Sequence, residues 1–111
     1  MGTHENKKVI FLAPIIRGSK GTYEKIFDDA KKEGFSRIRV DGEIFHVDSV
    51  KEEVTLERYE KHWIEYVIDR LEINQDNRQR ITEAVEQSLH YGKGSLVLLD
   101  VEKEKEVLKS L

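Results

Sequence analysis

The 111-residue chain has no cysteine. A disulfide framework, a thiolate zinc site, an iron–sulfur cluster and a cysteine nucleophile are therefore excluded, and a reducing, cytoplasmic setting is the natural expectation. No apolar run approaches the roughly 18 residues of a membrane-spanning helix, and residues 1–8 lack the apolar stretch of a secretory leader. A basic excess is missing too. With 19 Lys and Arg against 22 Asp and Glu, the net charge is −3, which argues against a nucleic-acid module. The four histidines, His4, His46, His62 and His90, show no metal-ligand spacing, so neither a metal nor another cofactor is expected.

There is a great deal of charge. Charged residues of both signs make up 37% of the chain, a composition suited to a solvated surface or to a polar protein interface. The length fits one domain with a real core. Residues 1–8 read as a flexible N-terminus, 9–101 as the folded domain and 102–111 as a charged helix or tail.

Hydrophobic periodicity supplies the elements. Val9-Ile10-Phe11-Leu12-Ala13 is a buried strand stopped by Pro14, the only proline, with Ile15-Ile16 as an extension past a kink. Residues 17–21 read as a loop. Thr22 caps a helix carrying Tyr23, Ile26, Phe27 and Ala30 on one side, and Gly34 closes it. Arg37-Ile38-Arg39-Val40-Asp41 alternates strictly. Asp41-Gly42 then turns into a paired strand over 43–47. Ser49 and Glu52 form a capping box ahead of a short helix or ordered turn. Residues 63–73 form the longest strand. Its core side stays open, because Ile64, Tyr66 and Ile68 oppose Val67, Leu71 and Ile73; a bulge would reconcile the two sets. Asp76 and Gln79 cap a second helix with Ile81, Ala84, Val85 and Leu89 as its stripe, ending near Gly92 or Gly94. Residues 95–101 form the last strand. The expected fold is α+β, in the order β-α-β-β-β-α-β. Two helices cover one face of a mainly antiparallel sheet, a ferredoxin-like variant.

Few residues suggest chemistry. Gly18, Lys20 and Gly21 sit between a strand and a helix, but the spacing fails the P-loop pattern, so a connecting or partner-contacting loop is expected. Asp41, Glu43 and His46 are near in sequence, but no nucleophile accompanies them. No catalytic residue is expected. Phe45, Tyr59, Trp63 and Tyr66 favour core packing over base stacking, since the RNA-recognition signature is absent. Arginines 37, 39 and 70 on strands suit forked pairing with partner carboxylates.

Four segments, in order, resemble one family. Leu12-Ala13-Pro14-Ile15-Ile16-Arg17-Gly18-Ser19-Lys20-Gly21, Gly34-Phe35-Ser36-Arg37-Ile38-Arg39-Val40-Asp41-Gly42-Glu43, Lys61-His62-Trp63-Ile64-Glu65-Tyr66-Val67-Ile68-Asp69-Arg70 and the helix from Gln79 to Leu89 are similar to the partner-binding insertion of UvrA, the damage-sensing ATPase of the bacterial excinuclease. The resemblance implies a non-catalytic docking module for UvrB, the helicase-like loader of nucleotide excision repair. It carries no cofactor of its own and meets DNA only through the full complex. The family's nucleotide-binding motifs and zinc cysteines lie outside this insertion. By the same resemblance Arg37 and Arg70 fall on the interface, with Arg39, Asp41, Glu43, Lys61, Glu65 and Asp69 beside them. The chain departs from the pattern between Glu43 and His62, where it lacks the usual proline, and at Trp63 and Tyr66, which stand in place of smaller residues. The rival expectation is a stand-alone nucleic-acid-binding domain of ferredoxin-like shape.

Overall fold

The computed structural model describes residues 7–21, 23–54, 56 and 58–102, and the backbone of 105–110. The elements are β1 (Lys8–Lys20), α1 (Glu24–Lys32), β2 (Arg37–Val40), β3 (Glu43–His46), α2 (Val50–Glu53), β4 (Lys61–Glu72), a 3-10 turn at Gln75–Asn77, α3 (Arg78–Tyr91), β5 (Leu96–Asp100) and β6 (Lys105–Ser110). Six strands follow the order β3-β2-β4-β1-β5-β6, and the pairings β1–β5, β2–β3, β2–β4 and β5–β6 are antiparallel. The α+β class and the mainly antiparallel sheet match the sequence reading. The chain divides into two compact units, Pro14–Val67 and Met1–Ala13 with Ile68–Leu111.

In the Pro14–Val67 unit, β1 does not stop at its proline but continues to Lys20, so the expected loop at 17–21 is mostly strand. Proline removes one donor, but its φ is compatible with extended chain. Thr22 lies outside the described residues. The N-cap position of α1 belongs to Tyr23, at φ 51 with no side-chain cap bond. Its hydroxyl instead donates to the Lys20 carbonyl at 2.6 Å, so Tyr23 precedes the helix rather than joining its stripe. Phe27 and Ala30 are buried. The helix ends as expected at Gly34, φ 89. Gly34 N–H donates to Lys31 O at 3.1 Å and Phe35 N–H to Ala30 O at 3.0 Å, the paired bonds of a Schellman cap.

The β2–β3 hairpin also follows its sequence signal. Asp41 and Gly42 both take positive φ, 49 and 90, between the paired residues Val40 and Glu43. That is a two-residue turn matched to strand twist. The box expected at Ser49 and Glu52 is absent. No side chain caps α2, and the Ser49 hydroxyl donates to Glu53 Oε2 at 3.0 Å. With only four residues, a side-chain bond one position along satisfies the serine equally well.

In the other unit, Val9, Phe11, Leu71 and Ala84 form a buried cluster, with Ile68, Ile73, Ile81, Val85 and Leu98 packed against it. Along β4 the core-facing parity therefore changes between Ile68 and Leu71, which resolves the conflict read from the sequence. The Asp76–Gln79 box is not formed. Asn74 Oδ1 accepts from Asn77 N–H at 3.0 Å, and α3 starts at Arg78 without a side-chain cap. A 3-10 turn takes up the slack and brings its own cap. Gly92 is the C-cap, but the left-handed residue after it is Lys93, φ 53. Residues 102–111 were expected as a helix or tail. Lys105–Ser110 is instead strand β6, in register with Leu96–Asp100, because strand β5 offers a backbone edge that a local helix would leave unpaired.

Candidate protein-interaction face

The β3-β2-β4 group in Pro14–Val67 has two unlike sides. Alternation places Ile38 and Val40 of β2 and His62, Ile64 and Tyr66 of β4 on the buried side, each no more than 8% exposed. Arg37, Arg39, Lys61, Trp63 and Glu65 take the opposite parity. The register crosses this outer side in one row, Ile44 opposite Arg39 and Arg39 opposite Glu65.

That row contains an ion pair. Arg39 Nη1 lies 3.3 Å from Glu65 Oε1, with side chains only 12% and 8% exposed. Long side chains from facing residues lie across the sheet and shield each other's charge. Arg37 is exposed at one end of the row's flank and Lys61 at the other. Ile44 is 38% exposed and Trp63 45%. Trp63 lies over Gly18, where a Cβ would come within 3.0 Å of the ring's Cζ2.

Asp41 fastens the hairpin turn to β4. Its N–H donates to Trp63 O at 2.8 Å, its Oδ1 accepts from Trp63 N–H at 2.8 Å, and its Oδ2 is 2.9 Å from Nδ1 of buried His62. The partner of Asp41 is thus His62 rather than His46. His46 Nδ1 accepts from Asp48 N–H at 3.2 Å. The trio Asp41, Glu43 and His46 does not converge, because Glu43 and His46 fall on opposite sides of β3. Glu43 instead borders a cavity of about 380 Å³ with Asp41, Glu53, Glu60, His62 and Phe45.

The expected residues of the other unit are placed separately. Asp69 accepts from Arg80 Nη2 at 2.9 and 3.2 Å and from Arg70 N–H at 2.8 Å. Arg70 is exposed. Asp69 is therefore engaged by α3, a pairing the sequence did not suggest.

The aromatic expectation fails in part. Tyr66 is buried, with its ring centroid 4.8 Å from that of Phe35, and Phe45 is half-buried. Tyr59, at 80%, and Trp63 are exposed rather than core. Trp63, Gly18 and Ile44 were missed as contributors to the face, and His62 was missed as the buried partner of Asp41. The signal was there: His62, Ile64 and Tyr66 share one parity, which forces Trp63 to the other side. Among the described residues no group of histidines and carboxylates is placed to hold a metal, and no helix is long and apolar enough to cross a membrane.

A family model described as UvrA interaction domain matches residues 1–102. Among curated proteins, UvrABC system protein A of Deinococcus radiodurans is 44% identical over 94 residues, covering 85% of this chain and 9% of that protein. The Thermus thermophilus protein of the same name is 46% identical over 92 residues, 83% of this chain and 10% of the relative. The one from Aquifex aeolicus is 40% identical over 107 residues, 96% and 11%. The chain spans about a tenth of the length of these relatives.

Proposed function

The chain belongs to the UvrA interaction domain family, and from that premise we propose that it docks UvrB onto a UvrA-type protein during nucleotide excision repair, using the outer side of β2, β3 and β4. The observation that carries this reading is the composition of that side. An exposed arginine, lysine, isoleucine and tryptophan surround a largely buried ion pair. Arginine and tryptophan are the residue types that dominate binding energy at protein interfaces. The shielded Arg39–Glu65 pair adds rigidity without exposing opposing charge.

In this reading the domain is non-catalytic, needs no cofactor, works in the cytoplasm and meets DNA only through the complex. Arg37 contacts a partner carboxylate directly, and Lys61 supports it. Arg39, Glu65 and Asp41 hold the surface in shape. Arg70, with Asp69 beside it, offers a further contact from the other unit, and Glu43 serves from the cavity side of the hairpin.

Titration of the chain with purified UvrB, by calorimetry at low and high salt, tests the proposal. Saturable binding that weakens as salt rises is expected, because exposed cations meet carboxylates across a screened gap. Absence of binding, together with salt-sensitive binding to single- or double-stranded DNA, would favour the nucleic-acid alternative.

A further inference from the structure

We propose that Trp63 is the aromatic anchor of this face, inserting its indole into an apolar depression of the protein partner that is rimmed by carboxylates. The inference rests on the docking reading above and adds a residue to it.

A tryptophan left 45% exposed keeps a large apolar area in water. Here the ring is also held in place. Gly18 has φ +73, and any Cβ there would meet Cζ2 at 3.0 Å and Cε2 at 3.3 Å. The ring thus sits on bare backbone, in a seat that only glycine leaves open. The Trp63 backbone is clamped on both polar groups by Asp41, each at 2.8 Å. Ordering a large side chain on binding costs roughly 0.5–1.5 kcal/mol; a ring already seated has less freedom to lose.

The surroundings define the occupant. Ile44, an exposed aliphatic residue on the same outer side, lies on β3 one row along, so the face carries a second exposed apolar side chain. The carboxylate of that row, Glu65, is spent on Arg39. Of the residues that β2 and β4 place on this outer side, the exposed charged ones are Arg37 and Lys61. Charge complementarity therefore calls for a protein surface with an apolar centre and an acidic rim.

The chain has a single tryptophan, so 5-fluorotryptophan labelling gives one fluorine resonance that reports this ring alone. Addition of purified UvrB should shift or broaden that resonance. Trp63→Ala should weaken UvrB binding at least tenfold with little change in melting temperature, and Trp63→Phe should fall between it and the parent. If the parent binds UvrB while the resonance stays put, or Trp63→Ala binds as tightly, the anchor is overturned and the docking reading stands. If the parent does not bind UvrB, both fall. A resonance that moves with single-stranded DNA and not with UvrB assigns the ring to base stacking and overturns the proposal.

Discussion

The two units spend their residues differently. The Met1–Ala13 and Ile68–Leu111 unit concentrates aliphatic burial: the start of β1 is buried from Val9 onward, and β5 between β1 and β6 is buried at Leu96, Val97, Leu99 and Asp100. The Pro14–Val67 unit also has a core, at Phe27, Ile38, Val40 and Ile64, and, like the other unit with its Lys7–Asp100 and Asp69–Arg80 pairs, it carries two polar pairs, Arg39–Glu65 and Asp41–His62. It also leaves Trp63 and Ile44 in water. A surface meant for docking has to keep its shape without being covered. Ion pairs and a turn clamp provide that where apolar packing cannot, because packing would consume the surface.

Removing apolar volume from the first unit should have the largest effect. Phe11 is 1% exposed within its cluster, so Phe11→Ala should cost about 3–5 kcal/mol, read as a lowered urea midpoint. Trp63→Ala should cost far less stability; equal losses would erase the contrast between the regions.

Next comes the buried ion pair. Glu65→Ala removes the carboxylate 3.3 Å from a guanidinium that is 12% exposed, and a loss of about 2–4 kcal/mol is expected. Glu65→Ala combined with Arg39→Met should recover much of it. A double-mutant cycle with no coupling would mean the pair does not stiffen the face.

The Arg37→Ala change should do the reverse of Phe11→Ala. Partner affinity should fall roughly thirtyfold, about 2 kcal/mol, while stability moves by no more than about 0.5 kcal/mol. Calorimetric titration and thermal melts separate the two. Arg70→Ala, made in parallel, reports whether the other unit shares in binding; full affinity would confine the contact to the hairpin side.

The smallest effect belongs to the end of α3. Lys93 stands in left-handed backbone, with Gly94 N–H donating to Leu89 O at 2.7 Å behind it. Left-handed backbone costs a side chain roughly 1–2 kcal/mol, of which glycine's extra chain entropy gives back about 0.5–1. Lys93→Gly should therefore raise stability by about 0.5–1 kcal/mol and leave binding unchanged.

What the sequence determined by itself is what depends on near neighbours. The alternation of Arg37 to Asp41, the Asp41-Gly42 turn and the Gly34 helix end are short-range steric facts, and all three are present as read. The α+β class followed from the same periodicities, and the exposure of Arg37 followed from parity. Tertiary structure decided everything that needed a distant partner. Pro14 sits inside a strand because nothing local forbids extension there. Lys105–Ser110 becomes β6 because β5 presents an edge to pair with, and β4 changes its buried side between Ile68 and Leu71, where Leu71 joins the buried cluster of Val9, Phe11 and Ala84. His62, 21 positions from Asp41, becomes its partner, and Gly18 becomes the seat of Trp63. A one-dimensional pattern records which residues can face the same way. It does not record which strand will lie opposite, and that choice is made by the burial and hydrogen bonding of the whole chain at once.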